Sequence, residues 1–262
     1  MPPVLSAPAA LVRTHDPDRY LATLFAPAAA REALFVLYAF NHEIARAAEV
    51  ASEPDLALMR LAWWREVVEG ALRYHEVATP LVALIAEGRL EPAKLLALIA
   101  AREDEVEPDF PTVAAWREHL FAGAGSLAAA AGRLLGAEAE PSLLRFGAAY
   151  GAAGVLRNIP FQARRGRVLL PKDLLAAHGL SAAAVAAVPA AASLLSVRRV
   201  LAEEAQSWLA EARSLPLPRA ALPAALPAVL AKGDLRRLGS PPLHRGIGAR
   251  LSMLSAAVSG RI

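Results

Sequence analysis

REALFVLYAFNHEIARAAE, residues 31–49, and GAAGVLRNIPFQARRGR, residues 151–167, are the two stretches on which the fold turns. In the first, Leu34, Val36, Leu37, Phe40 and Ile44 recur at helical spacing, which predicts a long helix over about 28–52. Pro27 precedes it and Glu53-Pro54-Asp55 breaks it. In the second, Pro141 opens a helix that extends to about Arg164. Arg165-Gly166-Arg167 and Leu170-Pro171 follow at its end.

Outward from this pair the chain reads as helices separated by prolines. Asp16-Pro17-Asp18 starts a short helix over 20–25, and residues 1–14 read as a loose arm. Over 56–73, Trp64, Val68 and Leu72 form an apolar stripe, with Arg65 and Glu69 paired at i, i+4 on the outer face. Thr79-Pro80, Glu91-Pro92 and residues 108–111 punctuate two shorter helices. The acidic run at 102–107 reads as a solvated helix end. Further helices are expected over 112–135, 174–177, 182–187, 190–214 and 247–258, with Pro216, Pro218, Pro223 and Pro227 interrupting the chain. The small residues at 122–126 would let another backbone approach closely. No alternating apolar run demands a strand, and no linker divides the chain. The expectation is one all-α domain over 15–262.

Composition narrows the chemistry. The sequence has no cysteine, which removes disulfides, thiolate catalysis and cysteine-held metals. Its six histidines never fall at i, i+4, so a zinc enzyme is not expected. The hydrophobic fraction of 56% and mean hydropathy of +0.36 are high, but much of the excess is alanine. The longest uncharged run, 179–197, is mostly alanine with Pro189 in it, and alanine gains little from transfer to lipid. Residues 1–14 do not resemble a signal or transit peptide. Charge is uneven: residues 1–150 carry net −7 and residues 151–262 net +10. A basic half attracts phosphates, anionic lipid or an acidic partner. Beyond Phe161 the only aromatic is Trp208, so a base-stacking platform is missing and nucleic acid is not an expected ligand.

The two stretches resemble the signature regions of the squalene/phytoene synthase family. The resemblance extends to Gly125-Ser126, Leu134-Leu135-Gly136 and the ending 255–262. It implies an isoprenoid synthase-like helical bundle with a central cavity, in which aspartates on two facing helices hold Mg²⁺, and Mg²⁺ holds a prenyl diphosphate. Tyr38-Ala39-Phe40 keeps the family's lead-in, but its paired aspartates fall at Ala45 and Arg46 and the last acidic position at Glu49. In the second region Arg157 is kept, the following aspartate is Asn158, and the later acidic pair falls at Phe161 and Gln162. Ala39-Phe40-Asn41, Leu58-Met59-Arg60 and Trp63-Trp64 resemble the branch of assembly factors for mitochondrial respiratory complex I, which also loses the aspartates.

Three functions follow as expectations. The first is a catalytically silent assembly or interaction factor, with subunits of a respiratory complex as partners and no cofactor. The second is a prenyl transferase that recruits Mg²⁺ through other ligands, for which Glu43, Glu49 and Glu53 are candidates. The third is a lipid or isoprenoid carrier. Against the second, a cation at residue 46 repels Mg²⁺: at ~4 Å and an effective dielectric of ~20, one pair of unit charges is worth ~4 kcal/mol. Arg157, Arg164, Arg165, Arg167 and Lys172 could hold a diphosphate or anionic headgroup without metal. Tyr38 and Phe40 are candidates to line a retained prenyl cavity, with Asn41, Arg46 and Glu49 beside them. Glu49 is expected to neutralise Arg46 or Arg157 with help from Asn158, so that Glu49→Ala destabilises and Glu105→Ala does little. The expected location is cytoplasmic, with peripheral contact at the inner membrane.

Overall fold

The computed structural model describes residues 5–51, 53–189, 191–238 and 245–262. Its helices are α1 (Ala7–His15), α2 (Pro17–Thr23), α3 (Ala28–Ala45), α4 (Ala47–Val50), α5 (Pro54–Val68), α6 (Ala78–Ala86), α7 (Pro92–Glu103) and α8 (Val113–Leu120). After a π-helical turn (Phe121–Gly125) come α9 (Ser126–Leu134), α10 (Glu140–Ala163), α11 (Lys172–Ala177), α12 (Ala182–Ala187) and α13 (Leu194–Ser214). A 3₁₀ turn (Arg219–Ala221) leads into α14 (Leu222–Ala225), α15 (Pro227–Arg236) and α16 (Ile247–Ser259). Every regular element among the described residues is helical, as the apolar spacing predicts.

Two helices form the centre. In α3 the nine consecutive residues from Ala33 to Asn41 are all buried. A helix covered on all sides is a core helix. Tyr38 and Phe40 therefore belong to the core, at 2% and 0% exposure, and neither is among the residues that line the cavity described below. Phe40 meets Trp64 edge-on at 5.4 Å. The second centre is α10, which packs against α9, α13, α15 and the π-helical turn. It continues past Pro160, which has no N–H to bond the carbonyl of Leu156. Buried Arg198 of α13 donates to that carbonyl at 3.4 Å instead.

The small residues do what their size allows. A Cβ on Gly147 would stand 2.3 Å from the Ala124 carbonyl oxygen, and one on Gly125 would stand 2.8 Å from that of Leu144. The backbones of α10 and the π-helical turn are thus in direct contact, as the run at 122–126 predicts. Gly147→Ala should cost ~1–3 kcal/mol through overpacking, because backbone cannot yield as a side chain can. Gly154→Ala on the same helix meets nothing within 4 Å and should be tolerated. Urea denaturation of both decides it, and equal stabilities would refute the close contact.

Several expectations need correcting. The loose arm is in fact α1 from Ala7 onward, capped by Ser6, whose Oγ accepts from Ala9 N at 3.2 Å. Ala9 and Val12 are 2% and 0% exposed in the core that α3 shares. Residues 1–4 lie outside the described residues. The helix over 28–52 breaks at Arg46, and Ser52 lies outside the described residues. The helix from 56 ends at Val68, so Leu72 leaves the stripe and is 89% exposed. Arg65 bonds both oxygens of Glu103 at 2.8 Å, not Glu69. Pro223 and Pro227 do not break helices; they sit in the first turns of α14 and α15, where a missing N–H leaves no bond unmade. The helix expected from 190 starts at Leu194, and Ala190 lies outside the described residues.

Candidate functional site

A cavity of about 300 Å³ lies between the two signature regions. One wall is the face of α10 that carries Tyr150, Gly151, Gly154, Arg157, Asn158 and Gln162. This is the i, i+3, i+4, i+7 row of a single helix face. The other wall is Ala45 and Glu49, one turn apart across the break between α3 and α4. His15, Asp16 and Arg19 cover one side, and Arg102, Glu105, His119 and the segment 167–170 cover another.

The helix break explains the first wall. Because α3 ends at Ala45, Arg46 turns away from the cavity and bonds Glu43 at 3.4 Å on the outside. Of the two aligned aspartate positions, only the one now occupied by alanine still faces inward. On the opposite wall the inward positions carry amides. Glu49 is exposed and makes no ion pair among the described residues. Its expected partners are taken: Arg46 by Glu43, and Arg157 by Asp234 at 3.0 Å. Asn158 is exposed on the rim and bonds none of these ions.

The R-G-R segment separates its arginines. Gly166 has φ of +70°, a left-handed conformation that turns the chain back after α10. Arg164 and Arg165 are exposed, and Arg165 lies over the Phe161 ring at 4.0 Å. Arg167 turns inward and donates Nη2 to the carbonyl oxygen of Glu105. Trp116 Nε1 donates to the Leu169 carbonyl at 3.1 Å, and Lys172 N donates to that of Phe110 at 2.8 Å, which clamps the segment in place. Lys172 itself pairs with Asp109 at 2.8 Å, away from the cavity.

Sequence reasoning missed the buried ions that organise the cavity. Glu105 is not a solvated helix end. Its side chain is 13% exposed, with Arg102 at 2.7 Å and His119 Nε2 at 3.2 Å. Burial alone would raise its pKa, but Arg102 and His119 outweigh burial and hold it at about 2. Arg102 also donates to Asn41 Oδ1 at 3.2 Å, which is where that buried amide is used. On the other side Asp16 pairs with Arg19 at 2.6 Å, and Arg19 lies 4.9 Å over the Tyr150 ring. Tyr150 donates to Asp18 at 3.0 Å. Burial, with Asp16 and Asp18 nearby, pushes the Tyr150 hydroxyl above its ordinary pKa. Arg245 bridges Asp18 at 3.1 Å and Asp234 at 2.6 Å, and Asp234 also holds Arg157. No local spacing could have signalled these partners, since Tyr150 and Asp18 are 132 positions apart.

Mg²⁺ does not fit this donor set. A hard cation needs several free carboxylate oxygens. Asp16 and Glu105 are committed to arginines, leaving only Glu49 unpaired on the cavity wall. Glu43 and Glu53 do not line the cavity. Among the described residues no three of His, Asp and Glu are grouped to hold a metal ion. Three cavity-lining residues retain a buried polar atom without a hydrogen bond: Arg167 Nε, a donor, Gln162 Oε1, an acceptor, and His119 Nδ1. Burial disfavours the charged form of Arg167, while Glu105 and Glu49 favour it.

Residues 12–254 match the family described as squalene/phytoene synthase. A curated relative, NADH dehydrogenase (ubiquinone) complex I assembly factor 6 of Bos taurus, is 27% identical over 238 residues, covering 87% of this chain and 72% of its own length. The Homo sapiens protein of that name is 28% identical over 179 residues, 65% of this chain and 54% of its own. Among solved structures, a dehydrosqualene synthase in complex with ligand superposes with a TM-score of 0.80 at 16% identity, covering 97% of this chain and 94% of its own. The squalene synthase HpnC from Alicyclobacillus acidocaldarius gives a TM-score of 0.74 at 21% identity, covering 90% of this chain and 94% of its own. At such identities the two structures speak for the fold alone.

Proposed function

This chain belongs to the squalene/phytoene synthase family, and from that premise we propose that it is a catalytically silent member acting as an assembly or interaction factor for respiratory complex I. The observation that carries the reading is the cavity's charge. Of the wall positions aligned with the family's acidic residues, Glu49 alone keeps a carboxylate, the others hold Ala45, Asn158 and Gln162, and the carboxylates of Asp16 and Glu105 are bound to arginines. Diphosphate departure needs its developing charge neutralised by metal, and no ligand set for that metal is free. The assembly role is supported by the names of the relatives that match along the chain. The expected location remains cytoplasmic with peripheral contact at the inner membrane. No described helix is long and apolar enough to cross one.

The purified protein should form no squalene, phytoene or presqualene-type product from farnesyl or geranylgeranyl diphosphate with Mg²⁺ or Mn²⁺. Product above a heat-killed control would restore the prenyl transferase reading. In a strain lacking the gene, assembled NADH:ubiquinone oxidoreductase should fall; an unchanged level would remove the assembly role.

A second reading rests on Arg167 Nε. Its buried, unanswered N–H favours binding of a prenyl diphosphate or anionic headgroup without metal, with Arg157 also on the cavity wall. Calorimetry in a chelator should show weak, salt-sensitive binding that Arg167→Ala reduces. Binding that appears only with added Mg²⁺ would contradict it.

A further inference from the structure

We propose that α16 is an interfacial anchor that seats the protein on an anionic lipid surface. Ile247, Leu251, Leu254 and Val258 recur at spacings of four, three and four, so they form one stripe along the helix. All four face outward, at 77%, 57%, 46% and 68% exposure. The opposite side of the helix is already used: Met253 and Ala256 are buried against Ala22, Leu226 and Leu230. An outward row of large aliphatics on a docked helix has no role in the core, and exposed apolar patches of this kind mark contact surfaces.

Charge decides what it contacts. No acidic residue follows Asp234 in the chain. Arg250 and Arg261 are exposed beside the stripe, and Lys232, Arg236 and Arg237 are exposed on the adjoining α15 or just after it. The helix carries no acid, and its stripe is bordered by Arg250 and by small serine, alanine and glycine residues; the acids of the adjoining groove, Asp16 and Asp18, are paired with Arg19 and Arg245. Such a face matches the interface of an anionic bilayer, with aliphatics among acyl chains and arginines among headgroups. Docked this way, α16 would bring lipid beside the open groove lined by Arg13, Leu24, Ala249 and Arg250. That groove shares Tyr150, Arg157 and Asn158 with the cavity. The inference does not depend on the assembly role.

The test is co-sedimentation of the full chain with vesicles. Wild type should pellet with equal parts of phosphatidylcholine and phosphatidylglycerol and remain in solution with phosphatidylcholine alone. Leu251→Ser with Leu254→Ser should lower the affinity ~10-fold or more. Arg250→Ala should lower it about 5-fold, and added salt should act in the same direction. Thermal denaturation checks that the variants fold; should the first pair unfold, Ile247→Ser with Val258→Ser replaces it. Wild type that stays in solution, binds neutral vesicles equally well, or loses nothing on substitution overturns the proposal. So does a wild-type dimer that the serine variants dissociate without a change in vesicle binding, since the stripe would then be a contact between copies.

Discussion

Glu105→Ala should be among the most destabilising single substitutions in the chain, at ~3–5 kcal/mol by chemical denaturation. The carboxylate is nearly buried between Arg102 and His119. Its removal leaves Arg102 in the interior with only the Asn41 amide as a partner, beside the inward-turned Arg167. The same site makes a pH prediction. The folded carboxyl titrates at about 2, below its ordinary 4.5. A depressed folded pKa contributes stability that is complete above the unfolded value and is lost as pH falls from 4.5 through about 2. The acid loss attributable to Glu105 is about 3 kcal/mol. Glu105→Gln, which keeps the shape, should flatten this acid limb. A loss below ~1 kcal/mol for Glu105→Ala, or an unchanged acid limb for Glu105→Gln, would refute the account.

Asp234→Ala should cost a comparable ~3–5 kcal/mol, for a different reason. Asp234 accepts from two arginines, Arg157 at 3.0 Å and Arg245 at 2.6 Å, and its side chain is only 5% exposed. Without it two cations share one partly buried space, with only Asp18 left to serve Arg245. Like charges then repel where a shared anion had joined them. The coupling can be measured directly. Arg245→Ala placed on Asp234→Ala should cost far less than Arg245→Ala alone, because it relieves the repulsion. Simple additivity in this double-mutant cycle would show that the Asp18–Arg245–Asp234–Arg157 chain is not a working unit. Since Arg157 lines the cavity, the cluster also links the approach to α16 with the cavity wall.

Glu49 shows why the site was only half legible. From the sequence it was the natural counter-ion for Arg46 or Arg157, being the one acid left in the first motif. Counter-ions in a folded chain are chosen by distance in space, and Asp234 reaches Arg157 from 77 positions away. Glu105 erred the other way. Four acids within 103–107 look like a solvated end, and Asp104 and Glu107 are exposed, but Glu103 is held by Arg65 and the turn after α7 points Glu105 inward at His119. Nothing in a linear charge pattern distinguishes that one from its neighbours.

Apolar spacing and proline breaks were sufficient for an all-helical chain, since residue type and period depend on neighbours no more than a few positions apart. That two signature regions face each other, and that metal-binding aspartates are missing from them, was what the resemblance to the squalene/phytoene synthase family implied. The tertiary structure alone decided which side of Arg46 faces the cavity, that Tyr38 and Phe40 are core, that Arg167 turns in while Arg164 and Arg165 turn out, and which carboxylate serves which arginine. Those outcomes depend on where a helix breaks, on one glycine in a left-handed conformation, and on charges brought together across most of the chain. Burial gives each of them its energy, and burial exists only once the helices have packed.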